Sequence, residues 1–353
     1  MAHTHRGGRR NSIAIVGGET LLGKEVHELL EALKLKADLV ASLDAVAPDE
    51  ASSILTQMND EPLVMSSLES ADLSAAGIVI LAAAKESGHK VYEKVRSATE
   101  RSPTPAPVLI DLNGALEDLA ESRLRAPIVE RGVEPAAGAK GQVQTIAHPA
   151  AIAIAMLLTH LRKAGPIRRS VIEIFEPVSE RGKAGIEELQ KQAVALLSFK
   201  PLPKEVFDAQ LSFNMLSQFG SEAPLSLAEI ELKIDRHLAS LLASSGERGA
   251  PMPSLRLIQA PVFHGYSISA WVEFEENPGM DEIFQALGSS DIDVRTKDHE
   301  PPTNVGVAGQ SGITVGSIAQ DRNQPRAWWF WVAADNLQIV AENAGEVVRE
   351  YLE

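Results

Sequence analysis

The turn at His148 and Pro149 is the point in this chain where covalent chemistry would be expected. Pro149 fixes its own φ and disfavours the helical region for His148, while the stretch from Ala150 to Leu161 is apolar and has no helix breaker. We therefore predict a helix that begins here. The N-terminus of such a helix can present a nucleophile to backbone N–H groups and to the positive end of the helix dipole. The first residues after the proline are Ala150, Ala151 and Ile152, which have no reactive atom.

A glycine-rich turn near the N-terminus is typical of a dinucleotide-binding βαβ unit. Ser12 to Val16 predicts a strand, G-G-E-T-L-L-G follows it, and Lys24 to Lys34 is amphipathic. Two features weaken this interpretation, because Glu19 adds negative charge and Thr20 replaces a glycine that would allow close approach of a pyrophosphate. A strand-to-helix turn without a ligand therefore remains an alternative. The candidate cofactor contacts in the turn are Gly17, Gly18, Thr20, Leu22 and Gly23.

Asp44 is a further candidate cofactor contact, since it ends the next apolar run, Ala37 to Leu43. A carboxylate after the second strand suits a ribose 2′-hydroxyl and repels a 2′-phosphate, so it favours NAD over NADP if either binds. An aspartate in a solvated loop explains the residue equally well.

The composition limits the classes of function. A length of 353 residues predicts two domains, and 44% hydrophobic with 23% charged residues is an ordinary globular balance. A net charge of −15 opposes binding to nucleic acid or to an anionic membrane surface, and no apolar run approaches the 18 residues of a membrane-spanning helix. The absence of cysteine excludes disulfides and thiolate chemistry and favours the cytoplasm. The nine histidines show no ligand spacing within the folded part, so we predict no metal site.

Hydrophobic periodicity predicts an α/β fold. Strands alternate with helices in the first 145 residues, which indicates a parallel sheet in a Rossmann-like domain. Residues 146–333 are predicted to form an α+β domain with a mixed or antiparallel sheet, and residues 334–353 a helix, capped by Asp335, that returns to the first domain. Val206 to Gln218 is predicted to be strand-like. Trp328, Trp329 and Trp331 are interpreted as packing residues of a strand rather than as an aromatic platform.

These stretches together resemble the aspartate-semialdehyde dehydrogenase family. The resemblance covers nearly the whole chain, from Ser12 to Leu352, and rests on short matches in the same order. Ile146 to Met156 is similar to I-A-N-P-N-C-S-T-I-Q-M, Ile174 to Leu189 to T-Y-Q-A-V-S-G-A-G-K-E-A-I-E-E-L, and Ala260 to Ser267 to V-P-V-F-x-G-H-S. The turn from Gly17 to Gly23 is similar to G-A-T-G-x-V-G.

The resemblance implies a two-domain dimer or tetramer that reduces an aspartyl phosphate with NADPH through a thioester. It also implies that the reacting groups are lost here. The nucleophile position is Ala151, the acid/base position is Tyr266, and the glutamine that orients the thioester is Glu176. At the position of a substrate-binding arginine this chain has Gln259. At the position of a lysine on the substrate side it has Glu231.

A chain with this scaffold and without these groups is expected to be inactive in the family's reaction. Alanine cannot form an acyl-enzyme, and a tyrosine with an ordinary pKa near 10 is a poor base at pH 7. We therefore expect a structural, regulatory or partner subunit, as a homodimer, a homotetramer or a hetero-oligomer with an active paralogue. NAD or NADP would bind only to a weakened site. The alternative is an active NAD(P)-dependent oxidoreductase that acts on an aldehyde or another substrate with altered catalytic residues.

Two serines could have taken over a catalytic role. Ser179 and Ser267 lie in loops that flank the implied pocket, and His148 and His264 are near them in the sequence. A Ser–His pair could hydrolyse an ester. The alternative is that both serines satisfy backbone groups of turns.

Overall fold

The structure is a computed structural model that describes residues 12–35, 37–42, 53–58, 61–100, 105–131, 142–244, 246 and 250–352, with only the backbone described at 53–58 and 61–65. Asp44 lies outside these residues. The described residues form two compact units. The first contains residues up to 127, 142–147 and 340–352, and the second contains 128–131 and 148–339. None of the described helices is long and apolar enough to span a membrane.

The first half of the chain alternates strands and helices. The elements in chain order are β1 (Ile13–Val16), α1 (Leu21–Ala32), β2 (Ala37–Ser42), β3 (Ser53–Met58), β4 (Glu61–Ser67), β5 (Ile78–Leu81), α2 (Lys85–Glu100), β6 (Val108–Asp111), β7 (Ser122–Arg125), α3 (Pro127–Glu130) and β8 (Val143–Ile146). The strands form one sheet in the order β3-β4-β2-β1-β5-β6-β8-β7, in which every pair is parallel except the β3–β4 hairpin at the edge. β1 and β5 are buried along their whole length, as expected for a sheet covered on both faces.

The second half is richer in antiparallel strands. Its elements are α4 (Pro149–Leu161), β9 (Ile167–Glu176), α5 (Gly182–Leu197), α6 (Leu227–Ser244), β10 (Ser254–Gln259), β11 (Tyr266–Phe274), α7 (Met280–Leu287), β12 (Ile292–Val294), β13 (Ile313–Gln320), β14 (Ala327–Ala334) and α8 (Gln338–Leu352). The sheet order is β10-β9-β11-β14-β13-β12. Its central pairs are antiparallel and its two outer pairs are parallel. The predicted fold class, a Rossmann-like sheet with a mixed-sheet α+β region, is confirmed.

Helix α4 is the centre of the second unit. Eleven of its residues are buried, including every residue from Pro149 to Leu158. A helix that is apolar on all sides has to be enclosed by other elements, and α6 and α7 both pack against it. Its N-terminus is therefore a fixed position.

The end of α8 packs on the first unit. Leu29 of α1 lies so close to Gly345 that an added Cβ would be 3.1 Å from its Cδ2. Arg125 of β7 donates to both carboxylate oxygens of Glu350, from Nη2 to Oε1 at 2.8 Å and to Oε2 from Nη1 and Nη2 at 3.0 Å each. At the start of the helix, Asp335 accepts from the amides of Leu337 and Gln338 as the predicted cap.

The prediction of a strand at Val206 to Gln218 is wrong. The segment forms turns, with a single bridge from Leu216 to Gln259. Side chains of α5 satisfy its backbone instead, because Glu188 Oε2 accepts from Val206 N at 2.6 Å and Gln192 Oε1 accepts from Leu211 N at 2.8 Å. Buried polar residues of a neighbouring helix thus replace the partner strand, and the sequence of the segment alone does not reveal this.

Candidate functional site

The start of α4 places an unreactive side chain where the family resemblance implies a nucleophile. His148 is the N-cap residue, and its Nδ1 accepts from the amide of Ala150 at 3.3 Å. Pro149 occupies the first helical turn, where its missing N–H is harmless. Ala151 follows with no exposed surface. The helix terminus thus presents a methyl group, which cannot bond covalently to a carbonyl carbon.

The proton on His148 has a defined place. Because Nδ1 accepts a backbone hydrogen bond, the neutral ring carries its proton on Nε2, which lies 4.0 Å from Glu180 Oε2. Burial, followed by the charges of Lys233, His237 and Arg181, lowers the pKa of His148 well below 6.5. His148 is therefore neutral at pH 7. Its own backbone amide donates to Nδ1 of His237 at 2.9 Å, which links the backbone at the start of α4 to a ring on α6.

Glu176, at the implied glutamine position, forms a buried ion pair. It ends β9 and is fully buried, and its Oε1 accepts from Arg181 Nη2 at 2.9 Å and from the Tyr266 hydroxyl at 3.4 Å. Burial raises the pKa of Glu176, and Arg181 opposes this shift. Burial lowers the pKa of Arg181, but Glu176 and Glu180 raise it by more, so Arg181 remains charged.

Tyr266 and Glu180 share the same surroundings, which raise the pKa of both groups. Burial, and then the charges of Glu180 and Glu176, raise the pKa of Tyr266 well above 10, so its hydroxyl acts as a donor and not as a base. Burial, and then repulsion by Glu176, raise the pKa of Glu180 to about 7. Asn336 Nδ2 donates to Glu180 Oε1 at 2.8 Å. Glu180 is therefore a group in this cluster whose protonation changes near neutral pH.

The side chains at the two other positions implied by the resemblance are hydrogen-bonded to backbone groups. Gln259 at the end of β10 is fully buried, and its Nε2 donates to the carbonyl of Glu176 at 2.8 Å. Glu231 Oε2 accepts from the amide of Leu257 at 2.6 Å, so this side chain is directed at β10. Neither residue is a cation that could hold a substrate carboxylate.

Cations are nevertheless present, at positions that the sequence comparison did not identify. Lys233 of α6 acts electrostatically on both His148 and Glu180, and Arg181 is paired with Glu176. The sequence contained a signal for the first of these, because Lys233 and His237 are four residues apart and therefore lie on one face of α6. The sequence did not show that this face, rather than the face of Glu231, is directed at the start of α4.

Three possible metal ligands come together at this place, although the histidine spacing predicted none. One ligand atom each of His148, Glu176 and Glu180 lies within 4.8 Å of the others. A cation would require Nε2 of His148 to be unprotonated, but the hydrogen bond from Ala150 places the proton there. Arg181 already binds the Glu176 carboxylate. The arrangement favours an ion-pair and hydrogen-bond cluster over a metal site.

The structure separates the two candidate serines. Ser179 Oγ lies 3.3 Å from His264 Nδ1 and donates to Asn336 Oδ1 at 3.2 Å. Ser267 donates to Asn304 Oδ1 at 3.0 Å. His264 is thus the histidine that accompanies Ser179, whereas His148 is directed at Glu180.

The glycine-rich turn is explained by the path of its own backbone. Gly17 has a φ of 84°, and a Cβ added at Gly23 would lie 2.1 Å from the Gly17 carbonyl oxygen. Thr20 caps α1, because its Oγ1 accepts from Gly23 N at 2.9 Å and donates to the Gly17 carbonyl at 2.8 Å. Gly18 N approaches the Ala41 carbonyl at 3.4 Å, and Leu22 is buried. The capping threonine uses one amide that a phosphate would otherwise contact, so these residues are required by the turn with or without a cofactor.

A doubly wound unit and a unit with a mixed six-stranded sheet define a two-domain α/β protein, and comparisons with known proteins identify its family. The semialdehyde dehydrogenase dimerisation domain matches residues 158–339. The USG-1 protein homolog of Pseudomonas aeruginosa is 27% identical over 331 residues, which cover 93% of each chain. The aspartate-semialdehyde dehydrogenase of Rickettsia bellii is 25% identical over 365 residues, with 98% of this chain and 99% of that protein covered. The structure of a probable aspartate-semialdehyde dehydrogenase from Pseudomonas aeruginosa is similar with a TM-score of 0.79 at 25% identity, and covers 97% of this chain and 98% of that one. The chain belongs to the semialdehyde dehydrogenase family.

Proposed function

We propose that this chain is a family member without phosphorylating semialdehyde dehydrogenase activity, and that it acts as a structural, regulatory or partner subunit. The observation that carries the proposal is the buried methyl group of Ala151 at the N-terminus of α4. The relatives are consistent with more than one role in the family, since one is named as a dehydrogenase and another as a USG-1 homolog.

The surrounding groups support the same conclusion. A thioester route requires a thiolate at the nucleophile position and a group that exchanges a proton near neutral pH beside it. The side chain of Ala151 has no lone pair. Tyr266 keeps its proton because burial and the charges of Glu180 and Glu176 raise its pKa. The carboxyl group of Glu176 is paired with Arg181, so it does not donate a hydrogen bond as the implied glutamine would. Restoring one of these groups would leave the others absent.

The test is an assay of purified chain with aspartate semialdehyde, phosphate and NAD or NADP. We expect a rate about a millionfold below that of an authentic dehydrogenase such as the Rickettsia bellii enzyme, since loss of a nucleophile has an effect of this size in other covalent enzymes. Ala151→Cys is the matched variant, and we expect it to remain inactive because Tyr266 and Glu176 are unchanged. Turnover by the wild-type chain within a hundredfold of the reference enzyme, in a preparation free of host dehydrogenase, would refute the proposal.

The partner surface that we propose for a homodimer is one face of the second sheet. Val171 of β9, Trp271 of β11 and Trp329 of β14 are cross-strand neighbours in a row. Val171 is 46% and Trp329 is 42% exposed, while Trp328 on the opposite face is buried at 4%. The packing interpretation therefore holds for Trp328 and for Trp331, whose ring centroid lies 5.9 Å from that of Phe175, but not for Trp329. The indole N–H groups of Trp271 and Trp329 both donate to Asp321 Oδ2 at 2.9 Å, which fixes their orientation before any partner arrives.

Substitution of Trp329 tests this surface. Trp329→Glu places a charge in the middle of the row, and loss of a central aromatic anchor commonly weakens an interface by 2 kcal/mol or more, which is about 30-fold in dissociation constant. We expect sedimentation equilibrium to show a dimer for the wild type and a larger monomer fraction for this variant. Phe199→Glu is the control, because Phe199 is 97% exposed and lies in the turn after α5 rather than in a strand of this sheet. A monomeric wild type, or equal dissociation of both variants, would contradict the assignment.

An active oxidoreductase with altered catalytic residues is the second candidate. Glu180 favours it, because a buried carboxyl group with a pKa of about 7 can donate or accept a proton at neutral pH. This candidate predicts turnover of some other aldehyde that Glu180→Gln abolishes, whereas a partner subunit shows none. The hetero-oligomer with an active paralogue is distinguished from the homodimer by co-purification of the two chains.

A further inference from the structure

Ser179, His264 and Asp335 form a continuous hydrogen-bonded chain in the second unit. Ser179 lies in the 3₁₀ helix Val178–Arg181, His264 in the turn between β10 and β11, and Asp335 directly after β14. Ser179 Oγ is 3.3 Å from His264 Nδ1, and His264 Nε2 is 2.8 Å from Asp335 Oδ2. A hydroxyl, an imidazole and a carboxylate in this order are the parts of an activated serine nucleophile.

Asp335 is held in one orientation and remains ionised. Its Oδ1 accepts from the amides of Leu337 and Gln338, and its Oδ2 accepts from Gly309 N at 2.7 Å. Burial raises the pKa of Asp335, but the hydrogen bonds from His264, Gln338 and Gly309 outweigh it and lower the pKa below its ordinary value. The carboxylate therefore fixes the ring of His264, which is 28% exposed in its side chain.

The carboxylate also decides the tautomer of the imidazole. With Nε2–H donated to Asp335, Nδ1 of neutral His264 is an acceptor directed at the Ser179 hydroxyl. When the ring is protonated, Nδ1 donates to Oγ and the hydroxyl donates to Asn336 Oδ1 instead. Asn336 also accepts from Gly265 N at 3.1 Å, so its position does not depend on the serine. The neutral ring is thus the form that can remove the serine proton.

We propose that Ser179 is an acyl-accepting nucleophile, with His264 as its base and Asp335 as a positioning residue. In the step, Oγ attacks the carbonyl carbon of an activated ester or thioester, and the Oγ proton passes to His264 Nδ1. The bond to the leaving alkoxide or thiolate breaks, and the leaving group takes that proton, so the products are acyl-Ser179 and an alcohol or thiol. Water then hydrolyses the acyl-serine with His264 again as base.

The geometry limits the substrate class and the turnover. Ser179 is 3% exposed, so the acyl group must be small. The amide of Ser179 donates to the Phe263 carbonyl at 3.1 Å and is not available to stabilise an oxyanion, a contribution worth about a hundredfold or more in serine hydrolases. Acylation and hydrolysis are therefore both slow, and hydrolysis is the slower step because an acyl-serine is a less reactive ester than the activated substrate. The acyl-enzyme accumulates, so one equivalent of product is released and little afterwards.

Covalent labelling tests the assignment. The full chain is incubated with p-nitrophenyl acetate and, separately, with a small fluorophosphonate, and the modified peptide is identified by mass spectrometry. We expect one equivalent of p-nitrophenol and a single modified residue, Ser179. Ser179→Ala should abolish the adduct, and His264→Gln should slow its formation about a hundredfold or more. Ser267→Ala is the matched control and should label as the wild type does, because Ser267 is bonded to Asn304 and has no histidine partner.

The outcomes separate this proposal from the preceding one. No adduct on the folded wild type, an adduct at another residue, or an unchanged rate in His264→Gln would each refute it, and circular dichroism of each variant shows whether it is folded. The reaction uses neither a nicotinamide cofactor nor Ala151. Dehydrogenase turnover would therefore overturn the proposed function without bearing on Ser179, and a missing adduct at Ser179 would not bear on the proposed function.

Discussion

Replacement of Arg181 by leucine is expected to lower the free energy of unfolding by about 3–5 kcal/mol. The guanidinium group is 11% exposed and lies 2.9 Å from the fully buried Glu176 carboxylate. Glu180, whose pKa the same surroundings already raise to about 7, is also stabilised as an anion by Arg181. Removal of the cation leaves two buried carboxyl groups that must either stay charged without compensation or take up protons. Denaturation with urea at pH 8 measures the effect.

Two further variants separate the ion pair from the loss of side-chain volume. In Glu176→Gln with Arg181→Leu, both charges of the pair are absent, and we expect most of the lost stability to return because paired replacement of buried charges is commonly near neutral. Lys191→Leu removes a cation from the exposed pair with Glu187 and should change stability by less than about 1 kcal/mol. A loss in Arg181→Leu no larger than in Lys191→Leu would show that the buried pair contributes little.

Glu180→Gln is expected to stabilise the protein by about 3 kcal/mol above pH 7 and to have little effect near pH 4. The pKa of Glu180 rises from an ordinary value of 4.5 to about 7 in the folded protein, chiefly through burial and then through repulsion by Glu176. Between these values the folded state binds the proton more tightly than the unfolded state. Stability therefore decreases as the pH rises from about 4.5 to about 7, and glutamine removes this dependence.

The measurement is the difference in unfolding free energy between wild type and Glu180→Gln at several pH values. Taking the difference cancels the titration of groups that do not interact with Glu180. What remains is the titration of Glu180 together with groups coupled to it, such as Glu176. The exposed Glu276→Gln serves as control, and we expect it to change the unfolding free energy by less than about 0.5 kcal/mol. A constant difference for Glu180→Gln would mean that Glu180 titrates alike in the folded and unfolded states.

The sequence predicted the architecture because the architecture depends on periodicity. Short buried runs such as Ile78 to Leu81 and the unbroken apolar helix after Pro149 are recognisable without any knowledge of their neighbours. The turn at Gly17 and the capping role of Asp335 are equally local. Val206 to Gln218 was mispredicted because its backbone partners are the side chains of Glu188 and Gln192, whose orientation depends on how α5 packs.

The composition of the site was harder to predict than the architecture. Alignment with a family pattern asks only whether an expected residue is present, so it identifies Ala151 and Tyr266 and says nothing of compensating changes elsewhere. Arg181 stands five residues after Glu176, and a 3₁₀ turn rather than a helix brings the two together. To predict the role of Lys233, one must know the rotation of α6 about its axis. To predict the pair of Ser179 and His264, one must know that two loops are in contact. These are tertiary relationships, which local pattern does not contain.

The pairing of Glu176 with Arg181 has a consequence for the history of this lineage. Starting from a glutamine, a glutamate alone would introduce a buried anion without a partner, and from the present pair a return to glutamine alone would strand a buried guanidinium. Each single step passes through a less stable protein, so two coordinated mutations are needed in either direction. Reversal of either residue alone is therefore opposed by protein stability, whatever its effect on activity.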